Sequence, residues 1–124
     1  MCLKLFYISL ILALSTQARA EMICINTSEP DFTIIQFVQS GRSGAVSFEY
    51  NSRQTGAVTK GTIDVAQSWS NNGFLGFDGS NAENQSASVE LFMADRSSVC
   101  GSLSLEFPDG NSRFKKSFLV ACTH

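Results

Sequence analysis

The sequence predicts an all-β fold: a single small antiparallel β-sandwich or β-barrel of about eight strands, formed after a leader segment is removed. Three observations predict it. Apolar and polar residues alternate with period two in several segments, Gly, Asn, Asp and Ser punctuate the chain between them, and outside the leader no run repeats with helical spacing. With 44% hydrophobic and 16% charged residues, the composition is that of a packed domain and opposite to that of a disordered chain. Its 124 residues suit one domain, spanning 21–124, behind a leader of residues 1–20.

The leader has three parts in a fixed order. Lys4 supplies a positive start, residues 5–14 (LFYISLILAL) form an apolar run, and Ala18-Arg19-Ala20 ends in an A-x-A cleavage site. Cleavage is expected between Ala20 and Glu21. The apolar run is well short of the ~20 residues that cross a bilayer, so it does not read as a membrane span. Cys24 follows Glu21, Met22 and Ile23, which is not the small-residue setting of a lipid-anchored cysteine. The expectation is an exported protein, periplasmic or extracellular. Cleavage would also remove Lys4 and Arg19, leaving seven basic against eleven acidic groups. That balance offers no basic surface for nucleic acid.

Eight segments carry strand character. In residues 44–50, Val46, Phe48 and Tyr50 share one face while Ser47 and Glu49 share the other. In 87–94, Val89, Leu91 and Met93 oppose Ser88, Glu90 and an outward Phe92. In 99–107, Val99, Leu103, Leu105 and Phe107 oppose Ser102, Ser104 and Glu106. This is the period of a half-buried strand. Weaker alternation marks 22–27, 32–39, 58–66, 74–77 and 113–122. Nine phenylalanines outside the leader are enough to fill most of a small core, leaving little interior room for a ligand.

Asp109-Gly110 between two apolar runs is the strongest hairpin signal. A two-residue turn there would set Phe107 against Ser112, Glu106 against Arg113, Leu105 against Phe114 and Val99 against Val120. Lys116 would then sit awkwardly opposite Leu103.

Cys24, Cys100 and Cys122 lie outside the leader, and Cys2 lies within it. In an oxidising compartment three cysteines give one disulfide and one spare thiol, so the chain is a monomer or a thiol-linked dimer. Hairpin parity places Cys100 and Cys122 on opposite faces, which makes Cys24 a participant. Its partner is Cys122 if the first and last strands meet, or Cys100 if Ile23 and Ile25 point inward.

The chemistry-bearing motifs are mostly missing. The only histidine, His124, is the last residue, where no third group can orient an imidazole. No G-x-S-x-G occurs, and Gly76-Phe77-Asp78-Gly79 lacks the strand-to-helix setting of a phosphate loop. Residues 78–83 (DGSNAE) miss the EF-hand pattern, and three cysteines with one histidine make a poor zinc set. No cofactor and no metal are expected. Glu49, Glu90 and Glu106 at outward strand positions leave carboxylate-based glycan hydrolysis as the one enzymatic reading, and scattered outward carboxylates ordinarily form a solvated face. Asn26-Thr27-Ser28 and Asn84-Gln85-Ser86 match the glycosylation sequon.

Residues 69–74 (WSNNGF) are the candidate binding segment. Trp69 beside Asn71, Asn72 and Phe74 on a loop could anchor a protein partner, or stack on a sugar while the amides bond its hydroxyls. The structural alternative folds the indole over one mouth of the core. The expected function is non-catalytic binding, preferably of a protein partner as an inhibitor or envelope and adhesion module. The alternative is a small-ligand or carbohydrate binder using the same four residues.

Overall fold

The computed structural model describes residues 21–25, 29–92 and 99–123. The leader, the Asn26 sequon, Met93 and His124 lie outside the described residues. Eight strands follow in order: β1 (Glu21–Ile25), β2 (Phe32–Ser40), β3 (Ser43–Asn51), β4 (Val58–Asn71), β5 (Phe74–Ser80), β6 (Ser86–Phe92), β7 (Val99–Asp109) and β8 (Ser112–Thr123). Each pairs antiparallel with the next, and β8 returns to β1, which closes an up-and-down barrel. Of the two architectures the sequence allowed, the barrel is the one formed. An eight-stranded barrel has an interior just wide enough for side chains to fill.

The filling comes from the predicted parity. Val46, Phe48, Tyr50, Val89, Leu91, Leu103, Leu105 and Phe107 are all buried. Phe107 stacks between Phe48 and Phe114, each at a ring-centroid distance of 4.8 Å. Burial of each large side chain contributes on the order of 1.5–3 kcal/mol, so this aromatic column is a main source of cohesion.

The β7–β8 turn differs from expectation by one position. Asp109 pairs with Ser112, so Gly110 and Asn111 make the turn, with Gly110 at φ 64°. Phe107 therefore faces Phe114, Glu106 faces Lys115, Leu105 faces Lys116 and Val99 faces Cys122. The register moves by two, so every residue keeps its face. The cause lies in Asp109, which is buried and accepts hydrogen bonds from Ser52 Oγ at 2.7 Å and Tyr50 Oη at 3.3 Å. Its side chain closes the barrel end and belongs to the strand.

β4 also runs further than its alternation suggested, through Asn71. A bulge between Gln67 and Trp69 shifts its pairing with β5. Upstream of the bulge Ile63 and Val65 point inward; downstream Trp69 is turned out.

The barrel closes through a short seam. Among the described residues β1 pairs with β8 through Ile23, Cys24 and Ile25. Cys24 is fully buried and disulfide-bonded, whereas Ile23 is exposed, so the arrangement with Ile23 pointing inward does not occur. In the ladder Cys24 stands directly opposite Cys122, and Cys100 stands opposite Ala121. Beyond the end of β1, Phe32 of β2 bridges to β8, with its ring 5.6 Å from Phe114 and 5.4 Å from Phe118. Lys116, at an inward position beside this thin part of the wall, reaches outward to bond Glu29 at 3.1 Å.

Candidate functional site

The interior is occupied by packed side chains, so the outer wall is where the chain presents chemistry. On β4 to β8 that wall is a regular grid. One row across the ladders runs Trp69, Gly76, Glu90, Ser102, Leu119. The neighbouring row runs Asn71, Phe74, Phe92, Cys100, Ala121, Ile25.

Four large apolar side chains of these two rows face solvent. Trp69, Phe74 and Phe92 are each about two-fifths exposed, and Leu119 is 84% exposed. The Phe74 and Phe92 rings touch at a centroid distance of 4.9 Å with planes 37° apart. Trp69 lies over Gly76: a Cβ there would collide with the indole Nε1. The glycine is thus the bed of the indole. Surface leucines and aromatics occur singly on most proteins; four on two neighbouring rows of one wall is the feature that calls for a partner.

The sequence-predicted residues are brought together in part. Trp69, Asn71 and Phe74 stand at one edge of this grid, all exposed, with Asn72 beside them in the turn. They do not form a loop. β4 runs to Asn71, β5 begins at Phe74, and Asn72-Gly73 makes a two-residue turn with φ 48° and 89°. Positive φ at both positions is the hairpin geometry that Asn-Gly favours, and it shortens the expected loop to two residues. Nor does the indole cap the core, because the bulge places it on the outer wall.

Phe92 and Leu119 were not among the predicted site residues, although their signal was present. Both are large and apolar at outward positions, Phe92 following Ser88 and Glu90 on its face and Leu119 between inward Phe118 and Val120. What the sequence lacks is the order of strands that sets β5, β6 and β8 into one patch.

A shallow concavity of about 250 Å³ lies within the grid, lined by Phe74, Glu90, Leu91, Phe92, Gly101, Ser102 and Leu119. A second groove occupies the same wall nearer the other end, between Asp78, Ser86, Ser88, Ser104, Glu106 and Lys115. There Ser104 and Ser117 share a 2.7 Å hydrogen bond, so their hydroxyls are already paired.

Other candidate chemistry is absorbed by the fold. Asn81, within residues 78–83, accepts from the amides of Glu83 and Gln85 through Oδ1 and donates to Thr62 O and Gln85 Oε1. Its amide is therefore spent on shaping the β5–β6 turn. Glu49 and Glu106 pair with Lys60 and Arg113. Among the described residues, no three His, Cys, Asp or Glu side chains converge. Comparison with family models, curated proteins and solved structures finds no match.

Proposed function

We propose that the protein is an exported binding domain that acts without chemistry of its own, and that it engages a protein partner through Trp69, Phe74, Phe92 and Leu119. The observation that carries this reading is Leu119, 84% exposed in the same two rows as three exposed aromatic rings. Aromatic residues are the side chains on which protein interfaces concentrate their energy. Two details favour a protein over a sugar. Phe74 and Phe92 are tilted by 37° and present no common flat platform, and Leu119 has no ring face to stack on a pyranose.

The test is capture from the exported fraction by the immobilised chain, compared with the double variant Phe92→Ser/Leu119→Ser. A protein retained by the native chain and lost by at least tenfold in the variant is the expected result. Retention unchanged in the variant would move the interface elsewhere. Release by a simple glycan would favour carbohydrate binding at Trp69 and the Asn71-Asn72 amides.

A further inference from the structure

Resting on that reading, the concavity between Phe74, Phe92 and Leu119 has a definite chemistry. Its polar lining is Ser102 and Glu90. Glu90 sits between Gly76 and Ser102 in the ladder, two positions from Phe92 along its strand. Among the described residues its carboxylate meets no lysine or arginine, whereas Glu29, Asp31, Glu49 and Glu106 each do.

A partner that covers the patch must also cover Glu90. Enclosing an unpaired carboxylate strips it of water with nothing in return, which would offset much of what the apolar contact contributes. A cation delivered by the partner removes that cost, and excluding water strengthens the attraction. The faces of Phe74 and Phe92 add to it, since aromatic faces attract cations. The walls meanwhile suit an aliphatic stem. We infer that this concavity receives a lysine or arginine side chain of the partner protein, its stem against Phe74, Phe92 and Leu119 and its charge on Glu90.

The test is an NMR titration of the isotope-labelled chain with three probes: Nα-acetyl-lysine amide, Nα-acetyl-arginine amide and the uncharged Nα-acetyl-norleucine amide. The expected result is saturable shifts confined to Phe74, Glu90, Phe92, Ser102 and Leu119 with a cationic probe. Binding should be at least fivefold weaker for norleucine and for Glu90→Gln, and unchanged for Glu83→Gln, an exposed acid in the β5–β6 turn. Equal binding of norleucine, or an undiminished response in Glu90→Gln, would overturn the cation assignment and leave the apolar interface standing. Shifts spread over all acidic residues would overturn it as well. Loss of partner capture on Phe92→Ser/Leu119→Ser is read separately, so failure of one does not mimic failure of the other.

Discussion

Gly76 shows how one missing side chain shapes this surface. Because it has no Cβ, the Trp69 indole can lie flat against the wall of β5 instead of standing away from it. At the opposite end, Tyr50 carries the clearest electrostatic signature. Burial holds its phenol above the ordinary tyrosine value of 10, and the neighbouring Asp109 charge adds to the effect. The folded chain thus keeps a proton that the unfolded chain gives up above pH 10. Its contribution is fully present below that value and is lost as pH rises through the folded-state pKa. Tyr7 and Tyr50 are the two tyrosines, so in a chain lacking residues 1–20 the rise in absorbance at 295 nm with pH reads Tyr50 alone. Ionisation above pH 10 is expected, together with falling stability. Asp109→Asn should bring the midpoint down without reaching 10, because burial remains. A midpoint at or below 10 in the folded native chain would contradict this account.

At the scale of elements, β1 meets β8 at three ladder positions among the described residues, and the disulfide of Cys24 staples that seam. The ladder sets Cys122 opposite Cys24, which makes Cys24–Cys122 the expected pairing. Closing a loop of nearly a hundred residues is worth about 4–5 kcal/mol in the chain-entropy model. Cys24→Ser should therefore lower the unfolding free energy by about 3–5 kcal/mol, measured by urea denaturation. A non-reducing digest should link the Cys24 and Cys122 peptides, and a link to Cys100 would contradict the assignment. Much of this was legible in the sequence. Alternation located all eight strands and the faces of Phe48, Val89 and Leu105, because a period of two maps directly onto burial. Two features were not legible. The bulge before Trp69 is an event of backbone pairing that alternation cannot register. The turn at Gly110-Asn111 depends on Asp109 meeting Tyr50 and Ser52, residues more than fifty positions away.

For the molecule as a whole, a filled interior and a patterned exterior divide the work. The aromatic column from Phe48 through Phe107 to Phe114 makes the barrel rigid, and the two rows across β4 to β8 present Trp69, Phe74, Phe92 and Leu119 on that frame. A surface built on strands loses little freedom on binding, which is the advantage of a preorganised site. Of the four residues expected from sequence, Trp69 and Phe74 enter this surface, and Asn71 and Asn72 form its rim. Site-specific photo-crosslinking in the native exported fraction tests the central claim most directly. A photoreactive residue replaces Leu119 in one chain and Thr62, on the β4 part of the wall away from the patch, in another. The account predicts a protein adduct of defined mass from position 119 and none from position 62. Adducts from position 62 alone, or equally from both, would contradict it.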